Sequence, residues 1–337
     1  MKHQLLVVAC ALSITLESQA QKSEQAFPDS SLAREYVISP IVLQGELENP
    51  GPMNLSELPL HSVPVKELAV DDSGKEHFRG AFAYTGYALY DILKSAKVKK
   101  QNEKEFGPST DLYVVIENER GQKATFSWGE ILSAKDRYQV IVALRVESIN
   151  PAKLKTRWPL PQESRLICAD DLSDARFIPN PNKITVHSFS GAFAKEKPEE
   201  LYSSSIEVAT SSVSFSLKNI EPSAELRTYS VVGYGHGMGY KGMQSVRGYV
   251  LRDLLAERLK LTREGLMSSI VVISAKDGYR AVFSASEIFN RGDNEEFLLM
   301  DRKDSKKEGR FTLFATPDFF VDRNVKAIEK IQLVGAE

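Results

Sequence analysis

Gly86-Tyr87-Ala88-Leu89-Tyr90-Asp91-Ile92-Leu93 returns further along the chain as Gly248-Tyr249-Val250-Leu251-Arg252-Asp253-Leu254-Leu255. Gly-Tyr opens both copies, and leucine, aspartate and leucine recur at the same spacing. An internal repeat sets the architecture before any local assignment does. The second half of the chain therefore reads as a degenerate copy of the first. Other pairs extend the match. Val114-Val115-Ile116 returns as Val271-Val272-Ile273, and Phe126-Ser127 with Glu130-Ile131 returns as Phe283-Ser284 with Glu287-Ile288. Asp171, Arg176 and Ile184 are matched by Asp318, Arg323 and Ile331. The small drift in offset needs only changes in loop length between elements.

Local patterns fill in each unit. Ile38 to Leu47 reads as a strand ended by the turn signal Asn49-Pro50-Gly51-Pro52. Val63 to Val70 alternates as an edge strand, the one place where Pro64 is tolerable. Leu112 to Ile116, Ala124 to Ser127, Tyr138 to Leu144, Arg165 to Ala169 and Ile184 to Val186 read as further strands. Tyr87 to Ala96 follows the helical period, with Leu89, Ile92, Leu93 and Ala96 on one face, and Glu130 starts a short helix. Several strands with few, short helices make each unit an α+β domain with mixed sheets. The expected division is a leader over 1–20, a flexible lead-in over 21–38, a first domain over 39–187, a linker over 188–204 and a second domain over 205–337.

The leader has the form of a signal peptide. Lys2 and His3 precede an apolar run from Leu5 to Leu16, and Ser18-Gln19-Ala20 offers small residues for cleavage. The run is too short to span a membrane. The expectation is an exported chain, periplasmic or secreted. Anchoring as a lipoprotein through Cys10 is the weaker reading, because only Leu5 to Ala9 would form its apolar core. Cys168 would then be the single mature thiol, a buried strand cysteine with no disulfide partner.

The chain of 337 residues is 42% hydrophobic and 26% charged, with a net charge of -2. It can bury a core. It has no basic excess to attract nucleic acid or anionic lipid. No Walker loop, zinc spacing or Ser/His/Asp order stands out.

Each unit resembles the molybdopterin-binding domain of the sulfite oxidase family. The likeness runs through Leu43-Gln44-Gly45, Asn49-Pro50 and Leu55-Ser56-Glu57-Leu58, then the helices opened by Gly86 and Gly248, then Asp277-Gly278-Tyr279 and Arg165-Leu166-Ile167. The resemblance implies two tandem domains of that fold. It also implies a cofactor mouth between a strand and the Gly248 helix, with Tyr234, His236 and Arg247 as cofactor-contacting candidates and His77 and Arg79 as their counterparts in the first unit. In catalytic members a cysteine thiolate holds molybdenum. Here Val70-Asp71-Asp72 and Val231-Val232-Gly233-Tyr234 stand in the corresponding region, with no cysteine in either. Soft thiolate ligation is what would hold and tune the metal.

One segment is chemically unusual: Gly233-Tyr234-Gly235-His236-Gly237-Met238-Gly239-Tyr240-Lys241-Gly242-Met243. Alternating glycine lets a backbone approach a ligand or take positive φ. His236, Met238 and Met243 supply imidazole and thioether donors, which suit copper, above all Cu(I). The plain alternative is a hairpin loop whose tyrosines and methionines lie on the surface. The expected function is an exported, non-catalytic module that binds a small ligand or a periplasmic protein partner. The alternative is a molybdopterin-dependent or copper-dependent periplasmic oxidoreductase, or its accessory subunit.

Overall fold

A computed structural model describes residues 29–151, 157–193, 201–221, 224–303, 305 and 309–336. The leader over 1–20 and part of the linker, 194–200, lie outside the described residues. The first unit runs through β1 (Asp29–Glu35), β2 (Val42–Gly45), β3 (Gly51–Pro52), β4 (Leu60–Val70), β5 (Glu76–Ala88), α1 (Leu89–Leu93), β6 (Leu112–Glu117), β7 (Lys123–Ser127), α2 (Trp128–Leu132), β8 (Val140–Ser148), β9 (Leu166–Cys168) and β10 (Lys183–Ser188). The second runs through β11 (Ile206–Ala209), β12 (Ser214–Leu217), β13 (Leu226–Gly235), β14 (Gly239–Val250), α3 (Leu251–Leu259), α4 (Arg263–Ser268), β15 (Ser269–Ala275), β16 (Arg280–Ser284), α5 (Ala285–Phe289), β17 (Phe297–Asp301), β18 (Phe311–Ala315) and β19 (Ile328–Gly335).

The α+β expectation is overturned. Among the described residues the protein is mostly β, 46% strand against 14% helix, with four small sheets in a four-bladed, propeller-like arrangement. The sulfite oxidase-like architecture falls with it. Sequence reasoning overweighted the helical period after Gly86. In the fold, Gly86 to Ala88 belong to β5, and only Leu89–Leu93 remain helical.

The sheet order repeats what the sequence repeats. The first sheet is β1-β8-β5-β4, with β9 also on β8; the second is β3-β2-β10-β6-β7. The third, β12-β11-β19-β15-β16, copies the second, and the fourth, β13-β14-β17-β18, copies the first without β1. Residues 29–35, read as lead-in, are strand β1, antiparallel to β8. The expected edge strand around Pro64 is β4, which pairs with β5 alone.

Burial explains the apolar runs. Leu112, Val114 and Ile116 face α1 and β9 in one cluster. Tyr113 and Val115, on the opposite face of β6, pack against Ile270, Val272 and Val282 of the second unit. A strand buried on both faces needs a continuous hydrophobic run, which is what both copies carry. The two units thus share apolar contacts, and Phe189 and Phe193 of the expected linker pack against the same cluster. Cys168 lies buried on β9 as expected, with its thiol pushed well up by burial.

The repeated Gly-Tyr also acquires a reason. A Cβ on Gly86 would sit 2.0 Å from the Val142 carbonyl oxygen, where β8 crosses close to β5 at a register shift. On Gly248 the nearest atom would be Leu298 Cβ at 2.9 Å. Gly86→Ala is therefore expected to cost about 3 kcal/mol or more, because backbone must move, and Gly248→Ala about 1 kcal/mol. Urea denaturation of the two variants checks the order.

Candidate functional site

The fourth sheet carries the unusual segment as a hairpin. Tyr234 pairs with Tyr240 and Gly235 with Gly239, which closes the turn over His236, Gly237 and Met238. Gly239 and Gly242 take φ of +67° and +90°, so glycine is required at both. Tyr234 leans on Phe319 and Phe320, with ring centroids 5.9 Å away in each case. The His236 ring meets Phe320 edge to face at 4.9 Å, and its backbone N–H donates to Asp322 Oδ2 at 3.2 Å. Val232, Tyr234, Met238, Tyr240 and Met243 remain exposed, Met238 by 83% and Met243 by 78%. Among the described residues no other element pair presents so much large apolar surface to solvent.

The patch continues onto the first unit. Arg137 lies over the Phe319 ring at 5.5 Å and the Tyr90 ring at 5.1 Å, and its Nη1 donates to Tyr90 Oη at 3.0 Å. Tyr90 meets Tyr138 edge to face at 5.7 Å. Tyr138 stacks on His61 at 4.0 Å, and His61 Nε2 is 2.6 Å from Asp91 Oδ2. The result is a band of rings interrupted by one guanidinium, from the β13–β14 hairpin to the start of β4. Phe319 is held in place from the other unit, because its N–H donates to the Ser133 carbonyl at 2.7 Å.

Beneath Arg137 lies a buried charge cluster with approximate twofold symmetry. Arg176 binds Asp171 and Glu130, each at 2.6 Å. Arg323 binds Asp318 at 2.5 Å and Glu287 at 3.1 Å. The serines that cap α2 and α5 join the halves. Arg323 Nη1 donates to Ser127 Oγ at 2.8 Å, Arg176 Nη1 to Ser284 Oγ at 3.2 Å, and Ser284 Oγ to Glu130 at 2.8 Å. Two guanidinium charges face four carboxyl groups here, so burial and mutual repulsion favour keeping a proton. Burial, with Glu130 and Asp318 adding to it, pushes Glu287 up to about 7 against the pull of Arg323. Burial raises Asp171 and Asp318 as well. The enclosed cavity measures about 20 Å³, room for a single water. The cluster ties the two units to each other.

The residues singled out from sequence do not converge. His77 faces Asp71 at 3.3 Å on the β4–β5 hairpin. Arg79 binds Asp174 at 2.9 Å, and Asp174 also takes Arg263 of the second unit at 2.6 Å. Arg247 is exposed on β14. Only Tyr234 and His236 come together, on Phe320. Met243 pairs opposite Val232, three residues up the ladder from Tyr240, or roughly 10 Å at strand spacing. Among the described residues no group of three or more His, Cys, Asp or Glu side chains is placed to hold a metal ion.

Sequence reasoning gave Asp91 no place in a site. It is buried between His61 and Lys94, each 2.6 Å away, whereas its copy Asp253 is 40% exposed. It also gave no role to the Ser127/Ser284, Glu130/Glu287 and Arg176/Arg323 pairs. Their recurrence as polar residues in both copies was the available signal.

No protein-family model matches the chain. No curated protein matches it either.

Proposed function

We propose that this protein is a non-catalytic interaction module, acting outside the cytoplasm, that binds another protein through the β13–β14 hairpin and the adjoining aromatic band. One observation carries the reading: Val232, Tyr234, Met238, Tyr240 and Met243 stand exposed on a single hairpin, next to exposed Phe319. Contiguous exposed apolar surface of this kind marks an interaction site. Tyrosine and arginine are enriched among binding hot spots, and methionine adapts to a partner's shape. The charge cluster supports the non-catalytic side, since its carboxyls and guanidiniums are engaged with one another. The Lys2-His3 start and apolar run support export. Among the described residues no helix is long and apolar enough to cross a membrane.

A photo-crosslinking amino acid placed at position 240, with position 172 as control, tests this in the protein's own host. Leu172 is also exposed, by 57%, and follows β9 rather than lying on the hairpin. Position 240 should give one discrete protein adduct that is lost with Tyr234→Ser and Met243→Ser. Equal adducts at both positions, or none at 240, would sink the reading.

A further inference from the structure

The first sheet buries polar groups that its copy lacks. The Glu67 side chain, on β4, is 1% exposed. The Tyr84 hydroxyl of β5 donates to its carboxyl, and Arg165 Nη1 donates to both carboxyl oxygens at 3.3 and 3.2 Å. In the second copy Val246 stands at the place of Tyr84, two residues before the repeated Gly-Tyr. It lies in a cluster of apolar side chains. A buried carboxyl is costly to keep in a small sheet unless it serves something.

Glu67 and Arg165 line a cavity of about 440 Å³, a volume usual for a small-molecule site. Phe82, Leu160 and Pro179 give it apolar sides. Those sides are pinned. Arg34 Nη1 and Tyr36 Oη donate to the Pro161 carbonyl at 2.7 and 3.0 Å, and the Asn180 N–H donates to the Ser164 carbonyl at 2.8 Å. Positive charge exceeds negative around the cavity. Among the described residues Arg34 binds no carboxyl, only the Leu160 and Pro161 carbonyls. Arg79, also on the wall, shares Asp174 with Arg263. Glu163, the other acidic side chain on the wall, is bound to Arg120 at 2.6 Å. Arg165 itself uses only Nη1 on Glu67; its buried Nε meets no acceptor, and its side chain is 22% exposed.

We propose that this cavity binds a small organic monocarboxylate, its carboxylate on the remaining donors of Arg165 and its apolar body against Phe82, Leu160 and Pro179. The Nε and Nη2 side of a guanidinium matches a carboxylate in geometry as well as charge. Glu67, itself fixed by Tyr84, holds that guanidinium by its other nitrogen, so the site is set before the ligand arrives. An amine of the same shape would meet like charge instead. The site shares no residue with the β13–β14 hairpin or the aromatic band, so it stands or falls apart from the interaction-module reading.

Isothermal titration of the full chain with octanoate tests it. One saturable site per chain is expected, and octylamine should bind at least about tenfold more weakly. Arg165→Gln should weaken octanoate at least about tenfold, the scale for losing a hydrogen bond to a charged group. Gln162→Trp should weaken it too, because it fills the cavity from an exposed position and leaves Glu67 and Arg165 in place. Should Arg165→Gln fail to fold, Gln162→Trp carries the decision. Tyr234→Ser with Met243→Ser should leave octanoate binding unchanged. Absent saturable binding, equal binding of octylamine, or undiminished binding in either folded cavity variant would overturn the proposal. So would loss of binding in the hairpin variant, which would place the acid on the exposed apolar patch. A silent crosslinker at position 240 would refute the interaction-module reading and leave this site standing.

Discussion

Arg323→Met is expected to destabilise the protein by about 3–5 kcal/mol at pH 8, the scale for removing one partner of a buried ion pair. The side chain is 3% exposed, and its guanidinium binds Asp318, Glu287 and Ser127. Methionine fills similar volume but leaves two carboxyls unmatched. The loss should shrink at pH 5, because those carboxyls can then take protons. The wild type should follow the same sign. Glu287 in the fold is raised to about 7, above its ordinary value, so the folded chain binds the extra proton more tightly than the unfolded chain does. The contribution of Glu287 to stability is therefore fully present below its ordinary carboxyl value and is lost as pH rises through about 7. Denaturant melts of both proteins at pH 5 and pH 8 measure all four values. A wild type that gains stability between pH 5 and 8 would contradict the charge count in the cluster.

Cutting the chain between the units should abolish cooperative folding of each half alone. Sequence composition favours a linker over 188–204 between two domains. The structure instead joins the units through the Tyr113, Val115, Ile270, Val272 and Val282 cluster. It adds backbone bonds across the junction, from Leu172 N to the Asn290 carbonyl at 2.6 Å and from Gly292 N to the Asp170 carbonyl at 2.7 Å. Separation would expose five buried apolar side chains and strand these groups in water, against a folding margin that is ordinarily small. Residues 29–193 and 201–336 produced separately should lack a sharp thermal transition, and mixing them should restore one. Two independent sharp transitions would show that each half carries its own core.

The repeat was legible because it rests on order and spacing, which sequence displays directly. The strands with dense β-branched residues were legible too, β6 and β10 among them, since burial on both faces leaves a continuous run. The sheet count was not. β5 and β14 are long strands interrupted by glycine and polar residues, with no clean alternation to reveal them, and their partners lie far along the chain. The helix read over Tyr87 to Ala96 shows the same limit, because Gly86 serves a close strand crossing that only the fold creates. At the site, His236 and the methionines attracted attention as donor types. The hairpin sets Met243 up the ladder from the turn, so proximity in sequence did not become convergence in space. The Arg176 and Arg323 cluster joins residues more than a hundred positions apart, and no local window contains it.

The capping serines bind the histories of the two copies to each other. Ser127 starts α2 in its own unit and receives Arg323 from the other, while Ser284 starts α5 and receives Arg176. A change on one side of that junction alters a helix start and a foreign charge at once, so the two copies can drift there only in step. The first and fourth sheets carry no such mutual obligation. One carries β1 and a covered face, and the other an aromatic hairpin. Duplication here has left one junction that ties the copies together and two ends that have diverged.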